Sequence, residues 1–336
     1  MDQEIADAAK LALDGAGGIG ATIAVWADGA PVLSAGLGWQ DAGRAVPMPA
    51  DAMLQTFSIS KTLFAIVALR LAEDGELDLD GAVPGCPAGV TPRRLLNHTA
   101  GMPDYGMVPA YHKAVRTTPG RAWTRAEFIA RTVEASGFGP PGAFAYSNTG
   151  YMLLREAVEQ ASGQPMGTLL RRFVWAPLGL TRSRLAETWA DARDLAPGWT
   201  AMWGGQQDEA AMYDPGWVAM RSVLAPAGEV AAVFDALRRG RLLGAASLAA
   251  MMTPVIVPGT DWLCQEKGYG LGLMVDRTSR YGVLAGHGGG GPGYSSGVLT
   301  GEVGRRIITA AALANTDAPE LGRRIAAAML ETAQEA

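Results

Sequence analysis

Ser58 and Lys61 stand three residues apart at the head of an apolar run, Leu63 to Leu71. Residues with that spacing share a helix face, so the Lys61 amine can reach the Ser58 hydroxyl and help turn it into a nucleophile. At a helix start the hydroxyl also meets the positive end of the dipole, with its own N–H free to face a developing oxyanion. Lysine is scarce here: only Lys10, Lys61, Lys113 and Lys267 occur, and only Lys61 has a serine three positions before it. A capping serine beside an exposed lysine would spell the same letters, so the pair needs company.

Two further clusters supply it. Pro140-Pro141-Gly142 leads to Tyr146-Ser147-Asn148, the one Tyr-x-Asn in the chain, ahead of a helix expected from Tyr151. That arrangement sets a phenol and an amide on one loop, facing the same way; its plain structural use is Asn148 capping the helix. Downstream, Gly286-His287-Gly288-Gly289-Gly290-Gly291-Pro292-Gly293 surrounds one imidazole with almost no side chains. A strand edge of that composition lets a substrate lie against bare backbone; a flexible hairpin with an incidental histidine is the alternative.

Taken in order, Ser58-Ile59-Ser60-Lys61, Tyr146-Ser147-Asn148 and His287-Gly288-Gly289 resemble the three motifs of class C β-lactamase-like serine hydrolases. That group includes β-lactamases, D-Ala-D-Ala carboxypeptidases, D-amino-acid amidases, esterases and transacylases. Leu95 to Pro103 and Tyr269 to Gly272 are similar to family segments too, and the likeness runs over essentially the whole chain. It implies Ser58 as the acylated nucleophile, Lys61 as its partner and Tyr146 as proton shuttle. It further implies that Asn148 orients the substrate, that His287 replaces the usual third-motif Lys, and that Gly290 gives the second oxyanion N–H. Tyr titrates near ~10 in water, so a Lys61 cation nearby is expected to favour phenolate, the two forming a coupled pair. Two departures stand out. His287 weakens the fixed charge that would receive a β-lactam or peptide carboxylate, a pattern closer to the esterases and D-aminopeptidase-like members, and Phe57 occupies a place usually given to a small residue.

A competing serine site, Gly293-Tyr294-Ser295-Ser296-Gly297, fits the G-x-S-x-G elbow, but that site needs a later histidine. The last one is His287, so Ser295 and Ser296 are assigned to a sheet strand. His98 and His112 are assigned structural roles, His98 as a hydrogen-bonding partner within its loop.

The positioning elements follow from pattern. Ile19–Trp26 and Pro31–Trp39 flank Asp28-Gly29 and read as a hairpin. Helical spacing marks Ile5–Leu13, Arg93–Leu96, Arg125–Glu134, Tyr151–Gln160, Met166–Val174, Glu229–Leu243 and Glu320–Glu335. Strand patterns return at Tyr269–Val275, Tyr281–Leu284, Tyr294–Leu299 and Arg306–Ala311. Strands at both ends with helices between them give an α/β (α+β) fold: one antiparallel sheet flanked by the terminal helices, plus a helical domain. The expected division is 1–80 with 255–336 as sheet domain and 81–254 as helical domain, the site lying between them. Trp189, Trp199, Met202, Trp203, Met212, Tyr213, Trp217 and Met220, interrupted by Gly204-Gly205, suggest a loop-rich lid with an apolar acyl pocket.

Composition narrows the function. With 336 residues and 49% hydrophobic side chains the chain can bury a sizeable core. A net charge of −5 gives no electrostatic reason to expect nucleic acid or a membrane surface as partner. Cys86 and Cys264 cannot make a disulfide framework, and three scattered histidines offer no metal spacing, so no metal or cofactor is expected. An acidic start without a signal pattern reads as cytoplasmic. The expectation is a serine hydrolase forming an acyl-enzyme on small esters or amides, lactams being poorer substrates. Acyl transfer and D-amino-acid amidase or DD-peptidase activity are the neighbouring alternatives, and a non-catalytic penicillin-binding-type sensor is the one from another class.

Overall fold

Along strand β1 (Gly20–Ala27), Ala21, Ile23 and Val25 enter one apolar cluster and Ala24 another, the alternation that a pleated strand imposes. Strand β13 (Arg306–Ala314) does the same, Ala311 and Leu313 on one side, Ile308, Ala310 and Ala312 on the other. Both faces of the sheet are therefore covered. Helix α1 (Asp2–Gly15) covers one of them with Ile5, Ala9 and Leu13, beside helix α10 (Leu321–Glu335) with Ile325, Met329 and Leu330. These assignments come from a computed structural model that describes residues 1–203, 207–208 and 212–335.

Among the described residues the main sheet is antiparallel and holds eight strands. Besides β1 and β13 they are β2 (Ala30–Gly38), β8 (Val255–Ile256), β9 (Gly268–Tyr269), β10 (Met274–Ser279), β11 (Gly282–Gly291) and β12 (Tyr294–Val303). Their spatial order is β2-β1-β13-β12-β11-β10-β9-β8, so the first hairpin and the last strand join in mid-sheet. The single strand expected over Tyr269–Val275 is broken into β9 and β10 at Gly270–Leu273, where Gly272 takes φ +78°.

Helix α2 (Ser60–Glu73) is apolar almost all round and buried from Ser60 through Leu69, as a core helix should be. Around it the chain builds α3 (Pro92–Leu96), α4 (Pro109–Thr117), α5 (Arg125–Ser136), α6 (Asn148–Ser162), α7 (Met166–Leu170), α8 (Ala227–Arg238) and α9 (Ala245–Met251). Small sheets occupy the rest: β3 (Leu54–Gln55) and β4 (Arg184–Leu185) on either side of β7 (Val223–Ala225), and β5 (Trp199–Thr200) with β6 (Gln207–Asp208). Helix α6 starts earlier than its apolar spacing suggests because Ser147, not Asn148, caps it: the Ser147 Oγ accepts from the Gly150 N–H at 2.9 Å. Among the described residues no helix is long and apolar enough to cross a membrane.

Candidate active site

Ser58 does not open the α-helix itself but sits in a 3-10 turn, Phe57–Ile59, that feeds α2. The turn is pinned to β7 from several directions. Thr56 Oγ1 donates to the Val223 carbonyl at 2.8 Å, the Phe57 N–H donates to Ser222 Oγ at 2.9 Å, and the Val223 N–H donates to Ser60 Oγ at 2.8 Å. Phe57 takes φ +46°, a left-handed conformation unfavourable for a bulky residue and typical of over-determined functional turns.

Strand β11 passes directly beside this turn, and its glycines are what permit the approach. A Cβ on Gly289 would lie 2.3 Å from the Thr56 carbonyl and 3.0 Å from the Ser58 nitrogen. A Cβ on Gly291 would strike the Phe57 ring at 2.5 Å, so the phenyl placed unusually before the nucleophile is accommodated by a missing side chain opposite. The register closes the question of a flexible hairpin: Gly286 through Gly291 pair with Leu299 back to Tyr294 on β12. On the other side β10 pairs no further than Met274 with Gly286, leaving the edge from His287 onward open toward Ser58. Gly290 is exposed on that edge, and nothing lies nearer its Cβ position than the Tyr294 carbonyl at 3.9 Å.

The alcohol, amine and phenol meet. Lys61 Nζ lies 3.0 Å from Ser58 Oγ, and the Tyr146 hydroxyl donates to the same oxygen at 2.8 Å. Lys61 Nζ also donates to Asn148 Oδ1 at 2.7 Å and lies 4.9 Å from the Tyr146 ring centroid. Lys61 is 1% exposed. Burial lowers its pKa to about 7, opposed by the Asp104 carboxylate. Burial also holds the Tyr146 phenol well above its ordinary value, a hydrogen bond to Ser58 only partly offsetting it. The expected Lys61 cation beside a phenolate is therefore reversed: near neutral pH the phenol keeps its proton and the amine is the group that gives one up.

Asp104 escaped the sequence reading although it directly follows the Leu95–Pro103 segment. Its Oδ1 accepts from the Asn148 N–H at 3.0 Å and from Asn148 Nδ2 at 3.1 Å, and from the Gly106 N–H at 3.1 Å. It fixes the amide that holds Lys61. The available signal was the Pro103-Asp104-Tyr105-Gly106 turn, where an aspartate two before a glycine bonds back to the backbone.

His287 lies at the cavity wall but keeps both nitrogens for the protein. Nδ1 faces the Gly288 carbonyl at 2.6 Å and Nε2 faces the Tyr269 hydroxyl at 2.9 Å. Burial lowers its pKa to about 3, with Lys61 adding to the effect, so the ring is neutral and its Nδ1 carries the hydrogen that the carbonyl requires. It lines the cavity as a buried, uncharged ring. His98 is also buried: Nδ1 accepts the Ser147 N–H at 3.1 Å, and the ring lies 4.3 Å from that of Tyr146, backing the phenol. His112 bonds the Gly106 carbonyl at the cavity rim, and Ser295 and Ser296 lie on β12, with no strand–turn–helix elbow around them.

In front of Ser58 lies a cavity of about 600 Å³. Met202, Tyr213 and Met220 line it, but Trp203 and Trp217, expected to form an acyl pocket, do not. Trp217 is fully buried, packed on Tyr111, Trp123 and Phe128, with its Nε1 on the Pro119 carbonyl at 2.7 Å; Trp203 donates to the Val115 carbonyl at 3.3 Å. Both tryptophans support the fold behind the site. Trp199 likewise bonds the Gln40 carbonyl, and Gly204-Gly205 lie outside the described residues. Arg323 reaches the cavity, its charge taken up by Asp261 at 3.0 Å and by Glu320.

Residues 5–334 match the family model Beta-lactamase, and the chain belongs to that family. It is 26% identical over 273 residues to Penicillin-binding protein 4* of Bacillus subtilis, a match covering 74% of this chain and 58% of that one. It is 26% identical over 175 residues to a D-aminopeptidase of Brucella anthropi, covering 50% and 33%. The chain thus spans less than two thirds of the length of these curated relatives. Among solved structures, a D-stereospecific amidohydrolase from a Streptomyces species superposes with a TM-score of 0.81 at 27% identity, covering 95% of this chain and 96% of its own.

Proposed function

We propose that this Beta-lactamase-family chain is a serine hydrolase that forms an acyl-enzyme on Ser58 and acts on uncharged esters or amides. One observation carries the reading: Ser58 Oγ lies within hydrogen-bonding distance of both Lys61 Nζ and the Tyr146 hydroxyl, at 3.0 and 2.8 Å. Unprotonated Lys61 takes the Ser58 proton as Oγ attacks the carbonyl carbon. The Ser58 and Gly290 N–H groups receive the oxyanion. The phenol of Tyr146 protonates the leaving oxygen or nitrogen, and the Lys61 ammonium then restores that proton. Water reverses the sequence and frees the acid. Asn148, clamped by Asp104, holds Lys61 in place and orients the substrate carbonyl side.

The charges around the cavity favour a neutral substrate. His287 carries no charge where the family commonly has a cation, and Arg323 is occupied by two carboxylates. A substrate carboxylate finds no uncommitted partner among the described residues there. The names of the relatives support a second reading, hydrolysis of D-amino-acid amides; Asp317 on the cavity wall would suit a substrate ammonium. Either reading requires acylation of Ser58. A fluorophosphonate should add to the wild-type chain and not to Ser58→Ala, read by intact mass; equal labelling of both would overturn it.

A further inference from the structure

A second, smaller cavity of about 170 Å³ adjoins the first. The two share three walls: Tyr146, Met274 and Arg323 line both. Phe144, Val257, Gly268, Tyr269 and the protonated thiol of Cys264 give the rest of its lining an apolar part, and Asp261 and Lys267 complete it at the far side. Phe144 and Tyr269 are ring neighbours, 5.8 Å apart. Its far side is the segment between β8 and β9, closed by the Val257 N–H donating to the Lys267 carbonyl at 2.9 Å. Asp261 in that segment is clamped by Arg323 of α10, at 3.0 and 3.1 Å. The wall is anchored from two sides.

The position of this cavity decides its use. In acyl transfer the group that departs must lie against the proton donor, because that donor supplies its hydrogen. Here the donor is Tyr146, with its hydroxyl 2.8 Å from Ser58 Oγ. Met274, which lines both cavities, pairs with Gly286 just before His287, and the smaller cavity abuts Tyr146 itself. An apolar cavity of about 150 Å³ accepts a benzene ring; this one has room for a phenyl or a branched alkyl group.

We infer that this cavity is the leaving-group subsite, built for an apolar alcohol or amine portion carrying an aromatic or branched aliphatic group. The inference rests on the serine acyl-enzyme reading above. The same seat takes an incoming acceptor in reverse. An apolar alcohol bound there loses its hydroxyl proton to the Lys61–Tyr146 pair and forms a new C–O bond to the acyl carbon. The Ser58 ester bond breaks, and the proton returns to Ser58 Oγ. The cavity thus favours acyl transfer to apolar alcohols over hydrolysis when such alcohols are present.

The test holds the acyl group fixed and varies what leaves. Benzyl acetate and methyl acetate release alcohols of similar acidity, so their kcat/KM ratio reports the seat and not intrinsic reactivity. In Val257→Trp, which fills the cavity from its partly exposed rim, that ratio should fall about tenfold or more. The yield of benzyl ester formed from added benzyl alcohol should fall with it. Phe144→Ala, which enlarges the same space, should shift preference toward a naphthylmethyl ester and keeps the test alive if the tryptophan variant does not fold. Ser58-dependent turnover with ratios unmoved within twofold in both variants would overturn the subsite alone. Equal turnover by Ser58→Ala would overturn the serine reading and the subsite with it.

Discussion

Replacing Asp104 by asparagine removes one charge and leaves the acceptor oxygen that the Asn148 and Gly106 N–H groups use. The negative charge favours the ammonium form of Lys61, so without it the pKa of Lys61 must fall. The path from Lys61 Nζ to Asp104 runs through the Asn148 amide, by contacts of 2.7 and 3.1 Å. With a charge separation of roughly 7 Å and an effective dielectric near ~20, the attraction is about 2 kcal/mol, or roughly 1.5 pH units. Wild type should show an acidic limb in kcat/KM near pH 7, because the amine must be unprotonated to act as base. In Asp104→Asn that limb should move down by about one unit or more, so that at pH 6 the variant keeps a larger fraction of its plateau kcat/KM than wild type does. The assay is the pH dependence of kcat/KM for p-nitrophenyl acetate from pH 5 to 9. A limb that stays put, or moves upward, would refute Lys61 as the titrating base.

Two other expectations concern the walls of the site. Gly289→Ala places a methyl 2.3 Å from the Thr56 carbonyl, backbone that cannot rotate away. The cost should be about 1–3 kcal/mol of stability by urea titration, together with a steeper loss of kcat/KM as β11 moves off the Ser58 turn; an unchanged kcat/KM would refute the close approach. Trp217→Ala should cost about 3–5 kcal/mol while the folded protein keeps its relative rates across short and medium acyl esters; altered selectivity would return Trp217 to the acyl pocket.

The residues of the site were largely legible because chemistry constrains them to rare types at fixed spacings, as with Ser58 and Lys61. The sheet was legible for a different reason: β1 and β2 are strand-like runs around the turn dipeptide Asp28-Gly29, and β12 and β13 are short apolar runs bounded by turn residues. Three things were not. Asp104 acts through Asn148, and a carboxylate that positions an amide leaves no spacing rule in the chain. The tryptophans near 203 and 217 looked like a pocket because apolar residues in loops can face either a cavity or the core, and only packing decides. The direction of the Lys61 and Tyr146 shifts depends on burial, which no local pattern reports. The compensation of Phe57 by Gly291 belongs to the same class, since it links residues 57 and 291 through space alone.

Burial of Lys61 also ties the chemistry to stability. Its pKa is about 7 in the fold against 10.5 unperturbed, so between those values the unfolded chain holds a proton that the folded chain does not. Stability in that window therefore rises with pH, by at most about 1.4 kcal/mol per unit from this one group. Below pH 7 both states are protonated, and the full penalty of a buried ammonium stands. Lys61→Met removes the titration, and also leaves Asn148 Oδ1 without its donor, which costs about 1–3 kcal/mol regardless of pH. The difference in unfolding free energy between variant and wild type should accordingly favour the variant most at pH 7 and below, and decline steadily toward pH 10. Urea titrations at pH 7, 8.5 and 10 read that slope directly. A difference that is flat across the three would mean that Lys61 keeps an ordinary pKa in the fold, and the amine would then be charged, not basic, when Ser58 must lose its proton.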